Sequence, residues 1–431
     1  MLIALMAYLY AAPKCTAYAE EAKITVTAEN TGSSVNRLSW TKTEGAESYV
    51  IYSLDEETGK YKKLSKIKGT ACSINNLTPN TKYTYKIGAR LADGKIGAIS
   101  EPVSLYTRNK IGSSLTAPGN ITGQGEWIYF ITDNTPPGAG IYKIKKDGSG
   151  LTLIKRGRGL NSLNVAGDKI YYINSECDRV VSCDLYGKNE CVELDIRKCL
   201  DDYDDYSLCH ILSLIVADEQ IYCSIEIQQS YDDDFVYAWY KFDPDNKKLS
   251  CIFPDVMSII DIDNSNITTI ENSLYTIPDS QGKDYICKYD ISKEKRKGYS
   301  IYIPENAVRI KYSDLEINQS GYIPYTAFDM QTHEYIYCLC DIDSGEYFLI
   351  KDADSIYKYN DIVFCTVNGE IIEYKAGEEA KKYGAVNDCN RICYADKDCI
   401  VLYKCDEYKF YIANEYEYTV IDRNTGERTM L

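Results

Sequence analysis

From about Gly119 to Leu431 one pattern returns again and again: a short aromatic or β-branched run, a Gly- or Asp-rich turn, then another such run. Its clearest copy reads Trp127-Ile128-Tyr129-Phe130, Gly140-Ile141-Tyr142-Lys143-Ile144, the turn Asp147-Gly148-Ser149-Gly150, then Leu151-Thr152-Leu153-Ile154. A second copy follows with Ile170-Tyr171-Tyr172, Val180-Val181-Ser182-Cys183-Asp184 and Cys191-Val192-Glu193-Leu194. The runs Ile221-Tyr222-Cys223, Leu274-Tyr275-Thr276, Tyr322-Ile323-Pro324, Ile362-Val363-Phe364 and Ile400-Val401-Leu402 continue the series, with separations of roughly 37 to 53 residues. They read as the second strand of successive units. Third-strand runs such as Trp239-Tyr240-Lys241-Phe242, Ile286-Cys287-Lys288-Tyr289 and Tyr418-Thr419-Val420-Ile421 accompany them. Asp-led turns such as Asp422-Arg423-Asn424-Thr425-Gly426 follow, where Asp, Asn and Gly tolerate the backbone a hairpin needs.

A lone four-stranded sheet cannot bury both faces, whereas sheets packed radially cover one another and protect their edges. The expected architecture for residues 118–431 is therefore a β-propeller of seven blades, or six, because the sixth copy is short. The Tyr content supports sheets: 41 Tyr stand against 8 Phe and 3 Trp, and tyrosine suits a half-wet pleated surface.

Residues 20–108 show short alternating runs at Arg37–Trp40, Tyr49–Tyr52, Tyr61–Leu64, Thr81–Arg90 and Val103–Thr107, the pattern of a two-sheet sandwich. Trp40, the turn Glu44-Gly45-Ala46 leading into Tyr49-Val50-Ile51-Tyr52, and the stretch Leu77-Thr78-Pro79-Asn80-Thr81-Lys82-Tyr83-Thr84-Tyr85 resemble a fibronectin type III domain. The resemblance implies that Trp40 fills the core between the sheets and that Tyr83 is the residue of the tyrosine corner. There is no Arg-Gly-Asp loop, so integrin-type adhesion is not implied. Residues 109–117, polar and without periodicity, read as a linker. The Ile-Tyr-Phe and Ile-Tyr-Tyr runs with Lys146-Asp147-Gly148-Ser149-Gly150 resemble the propellers of the low-density-lipoprotein-receptor-related type found in secreted proteins of Gram-positive bacteria. The Tyr-Trp-Thr-Asp signature of the receptors is missing, so no receptor site is implied.

Residues 1–19 read as a signal peptide: an apolar run from Leu2 to Ala12, too short to span a bilayer, precedes Ala17-Tyr18-Ala19. The expected protein is secreted and possibly held at a cell surface. A net charge of −16 opposes binding to nucleic acid or to an anionic membrane. Of the 17 Cys, those inside strand runs (Cys223, Cys287, Cys338, Cys365) read as small buried hydrophobes, and mostly free thiols are expected. Cys177 with Cys183, and Cys389 with Cys393, are the pairs to check for disulfides.

Chemistry is thinly signalled. His210 and His333 are the only histidines, and neither adjoins a nucleophile or metal motif. Cys338-x-Cys340 and Cys389, Cys393, Cys399 and Cys405 lack the paired spacing of a structural zinc site. The acidic stretches Asp201-Asp202-Tyr203-Asp204-Asp205, Asp232-Asp233-Asp234 and Asp261-Ile262-Asp263-Asn264 could attract calcium but lack the full order of a calcium loop. Aromatics beside acids (Tyr203, Tyr206, Tyr231, Phe235, Tyr408 to Tyr418) would suit sugar or peptide binding. The sequence thus points to a monomeric, non-catalytic binding protein without cofactor, whose partner is an extracellular protein, peptide or glycan. The competing reading is a propeller glycosidase or polysaccharide lyase working through channel carboxylates and tyrosines.

Overall fold

The computed structural model describes residues 23–110 except 57, 112, 120–133, 138–200, 208–217, 219–228, 236–253, 268–270, 273–276, 285–290, 293, 295–300, 307–311, 322–333, 335–341, 347–351, 353–359, 362–375, 378–386, 390–404 and 417–430. For most strands from 268 to 351 the backbone register alone is described. The chain is all-β and divides into two compact units, one up to Thr107 and one from Arg108 onward that also takes in Thr78–Asn80.

The first unit is a sandwich of eight strands: β1 (Val26–Asn30), β2 (Asn36–Trp40), β3 (Ala46–Asp55), β4 (Lys60–Ile67), β5 (Ala71–Ile74), β6 (Lys82–Leu91), β7 (Ile96–Ile99) and β8 (Val103–Tyr106). One sheet runs β1-β2-β5, the other β4-β3-β6-β7 with β8 also on β6. Alternation drives the core. In β6 the odd positions Tyr85, Ile87 and Ala89 are fully buried and pack with Tyr49 and Ile51 of the neighbouring β3 and with Leu38 and Trp40 of the facing sheet. Trp40 packs edge-on against Tyr49, and Tyr83, half-buried, stacks on Tyr85. The central role expected of Trp40 is what the packing gives it.

The described residues of the second unit form seven four-stranded antiparallel sheets, each built from four consecutive strands. They span residues 121–156, 161–195, 208–253, 268–300, 307–351, 353–385 and 390–430. All seven second-strand runs read from the sequence fall in the second strand of their sheet, and the sixth copy is a complete sheet like the others.

Among the described residues four cores lie between neighbouring sheets. Tyr129, Ile131 and Ile141 of the first sheet pack with Leu163, Val165 and Tyr172 of the second. Ile173, Val180 and Leu194 of the second sheet pack with Ile211, Cys223 and Phe242 of the third. Phe364 and Ile371 of the sixth meet Ile392, Ile400 and Leu402 of the seventh. A fourth core joins the two ends of the series: Ile121, Ile128 and Phe130 of the first sheet pack with Tyr394, Val401, Tyr418 and Val420 of the seventh.

Side chains also bridge the leading strands. The Asn120 carboxamide accepts from Ser162 N (3.0 Å), that of Asn164 from Val216 N (2.9 Å), and the Ser355 hydroxyl from Ile392 N (3.1 Å). In five sheets the register slips between the first and second strands. Such a slip leaves a backbone group unpaired within its own sheet. Ser162, which lies in one of these slips, spends its free N–H on the sheet before it.

The polar stretch read as a linker is not a loose tether at its described positions. Asn109 Nδ2 donates to Gly123 O and Val165 O, both at 2.9 Å, and Gly112 donates to Val216 O while accepting from Val165 N. Asn109 and Gly112 are thereby fastened to the leading strands of three sheets.

Candidate functional site

A buried group of ionisable side chains lies where the seventh sheet meets the first. Lys146 opens the last turn of the first sheet. Asp396 and Asp398 sit in the first turn of the seventh, 250 residues on, where the Asp396 carboxylate also caps the backbone N–H of Asp398 (2.8 Å) and Cys399 (3.0 Å). Lys146 Nζ lies 2.5 Å from Asp396 Oδ2 and 3.4 Å from Asp398 Oδ2. Lys146 and Asp396 are almost wholly buried. Tyr394 donates its hydroxyl to the same carboxylate at 2.8 Å.

Charges this deep survive only when paired. Burial by itself would push the Lys146 ammonium down, but Asp396, helped by Asp398, more than offsets it and holds the ammonium above its ordinary value. Burial would likewise raise the Asp396 carboxyl. Lys146, the Asp398 N–H and the Tyr394 hydroxyl overcome that and hold it below the usual carboxylate range. The same burial, with the Asp396 charge added, pushes the Tyr394 phenol and the Cys399 thiol well up. At neutral pH the group is one ammonium, one paired carboxylate and two neutral groups. The arrangement ties the first turn of the seventh sheet to the last turn of the first.

A second cluster extends it. Arg423, in the last turn of the seventh sheet, donates to Asp396 O (2.8 Å) and pairs with Glu373 of the sixth (2.5 Å). Glu373 also accepts from the Tyr383 hydroxyl, and the Arg423 guanidinium lies 4.9 Å from the centre of the Phe364 ring. Three sheets are therefore tied by one chain of charges.

Close contacts give the seam a fixed shape. Gly123 lies under the Tyr394 ring, and a Cβ there would overlap the Tyr394 hydroxyl. Gly148, in the last turn of the first sheet (φ +79°), would overlap Thr429 in the last strand of the seventh. Gly187, in the last turn of the second sheet (φ +76°), would overlap Ile154 O in the last strand of the first. The first sheet leans on the seventh as the second leans on the first.

The residues singled out from sequence lie elsewhere. His210 is half-buried in Leu208–Ala217, opposite Glu226 in the register, and His333 is exposed in a turn with φ +59°. Cys177, Cys183 and Cys393 carry free thiols, so Cys177 and Cys183 are not bridged; Cys223 and Cys365 are fully buried, as expected of small hydrophobes. Among the described residues no group of three or more His, Cys, Asp or Glu could hold a metal ion. Asp201–Asp205, Asp232–Asp234, Asp261–Asn264, Tyr203, Tyr206, Tyr231, Phe235, Tyr408 to Tyr416, Cys389 and Cys405 lie outside the described residues, as do the side chains of Cys338 and Cys340; Tyr418 does not serve the binding role expected of it, because it is buried in the core between the first and seventh sheets.

Comparison with known proteins follows the division into two units. Residues 21–106 match the fibronectin type III domain family, so the chain carries such a domain at its start. Two solved structures resemble this part: FN3tt (28% identity over 18% of this chain and 79% of that one, TM-score 0.15) and the FN5 domain of Drosophila Lar (23%, 19% and 90%, TM-score 0.17). An acylaminoacyl peptidase from Pyrococcus horikoshii aligns with 74% of this chain and 52% of its own, at 10% identity and a TM-score of 0.45. No curated protein matches the chain.

Proposed function

We propose that residues 108–431 close into a seven-bladed propeller and that the protein is an extracellular, non-catalytic binding protein displaying the propeller's loops to a protein, peptide or glycan. The observation that carries the reading is the seam. The first sheet meets the seventh with the same glycine-on-last-strand contact that joins the first and second sheets, and a core of its own fills the space between them. Sheets packed on their neighbours, as at the first–second, second–third, sixth–seventh and seventh–first junctions, make a rigid frame.

In a four-stranded meander the second-to-third connections and the connections onward to the next sheet share one end. The long intervals Phe253 to Thr268 and Lys404 to Glu417 are of these kinds. Recognition by loops set on a rigid frame is the usual division of labour in such folds. A fibronectin type III domain is a module of extracellular interaction proteins, which fits export. No described helix is long and apolar enough to cross a membrane. The buried carboxylates Asp178, Asp195 and Asp396 each face a cation, Arg197, Arg179 and Lys146 respectively, which favours support over acid–base chemistry.

Two measurements test the proposal. Electron micrographs of the intact protein should show a disc with seven-fold modulation beside a smaller module, and an open arc would overturn the closure. Glycan and peptide arrays should return binders whose chains emerge intact. Release of reducing ends or unsaturated sugars from a bound glycan would replace the binding reading with that of a glycosidase or lyase.

A further inference from the structure

The two units carry opposite charge. Residues 23–107 hold 12 Lys and Arg against 8 Asp and Glu, whereas residues 108–431 hold 35 against 54. The surplus cations of the first unit are gathered on one face. Alternation along β6 sends Tyr83, Tyr85, Ile87 and Ala89 to the sandwich core and leaves Lys82, Lys86 and Arg90 on the opposite side. On that side the register sets Tyr52 of β3 beside Lys86, Lys63 of β4 beside Tyr52, and Lys66 beside Val50. Lys86 Nζ stands 4.4 Å from the centre of the Tyr61 ring. No carboxylate holds a registered position on this face of β3, β4, β6 or β8. Among the described residues no ion pair engages Lys63, Lys66, Lys82, Lys86 or Arg90.

Edge protection accounts for only part of this. Lysines along an edge strand discourage the pairing of a further strand, and Lys60, Lys62 and Lys68 in and beside β4 fit that role. β6, however, lies inside its sheet, where no edge needs guarding. Its three outward cations recur every fourth residue, about 13 Å apart at the rise of an extended strand. A row of like charges repels itself, and an anion of matching repeat relieves it.

We propose that this outer face of the fibronectin type III domain binds a linear polyanionic polysaccharide, with Lys63, Lys66, Lys86 and Arg90 pairing its acidic groups and Tyr52 and Tyr61 offering ring faces to its sugars. An acidic peptide would most readily add as a strand. The lysines of β4 and the register slip opposite Ile51 and Tyr52 oppose that at the edge, which leaves the flat face to a polymer that needs no ladder. Every residue of the site belongs to the first unit.

The test uses the whole chain and size-defined heparin as probe, with uncharged dextran and poly-L-glutamate alongside, across a salt series. Wild-type protein should bind heparin, more weakly as salt rises, and ignore dextran. K63Q/K66Q/K86Q should bind about tenfold more weakly with a shallower salt dependence. K188Q/K247Q/K248Q, which removes the same charge from the second unit, should bind as wild type does. Melting curves check that both variants fold. The proposal is overturned if wild type does not bind heparin, if the two triple variants lose binding equally, or if poly-L-glutamate binds as tightly and is lost with the same three lysines.

Discussion

The junction between the first and second sheets and the junction between the seventh and first use the same parts for shape and different parts for strength. In both, a glycine in a last turn rests on the last strand of the preceding sheet, and aromatic and branched residues fill the gap. At the first junction the chain itself runs from one sheet into the next, and the cross-links are an exposed ion pair, Lys155 with Glu190, and a bond from the buried Lys143 ammonium to the neutral Leu185 carbonyl. At the other junction no chain passes, and there a lysine and an aspartate are buried against each other. Where the backbone does not hold two sheets at high local concentration, a buried ion pair specifies the partner instead.

The largest effect that would break this comparison comes from removing one charge. Lys146→Met leaves Asp396 buried and unpaired and should destabilise the second unit by about 3–5 kcal/mol, whereas Lys155→Met at the exposed pair should cost no more than about 1 kcal/mol. Chemical denaturation of the two variants measures the difference, and equal losses would remove the distinction between the junctions.

Next come the glycines. Gly123→Ala forces its Cβ into the Tyr394 hydroxyl and should cost about 1–3 kcal/mol. Gly187→Ala should cost more than Gly148→Ala. Its Cβ meets a backbone carbonyl, Ile154 O, while that of Gly148 meets the Thr429 side chain, which can be trimmed; G148A/T429A should recover part of the loss.

Acid sharpens the contrast further. Asp396 titrates lower folded than unfolded, so its contribution is complete above the ordinary carboxylate range and fades as pH falls through the lowered value. Lys146 titrates higher when folded, so its share is full below the ordinary lysine range and disappears only as pH climbs through the raised value. Stability measured down to strong acid should fall less steeply in D396N than in wild type, since the variant has already lost the seam. The smallest effect is expected at the cationic face, where K63Q/K66Q/K86Q should leave the denaturation midpoint within about 0.5 kcal/mol per site of wild type.

The two units were legible to different degrees. The sandwich could be read from particular residues, because Trp40 and the run from Leu77 to Tyr85 have fixed places in such a fold. The sheets could be read from period, because each second strand is an apolar run distinct enough to stand out each time it recurs. The seam could not. Lys146 and Asp396 look like turn residues in two unremarkable hairpins, and only the meeting of chain segments 250 residues apart makes them a pair. The glycine at 123 was equally silent, since a strand glycine announces a close approach but not what approaches. Asn109 and Gly112 misled in the other direction: polar and aperiodic, they suggested a tether, yet their hydrogen bonds go to three leading strands.

Among the described residues every sheet of the second unit is complete within its own stretch of chain, with no strand lent to a neighbour. Such modules can be assembled one after another as they leave the ribosome, each needing only the one before it, and a fault in one need not spread. The meeting of Lys146 with Asp396 is the step that waits for the last module. Until then the array has two greasy ends; afterwards those ends are neighbours, and neither is left to find a stranger.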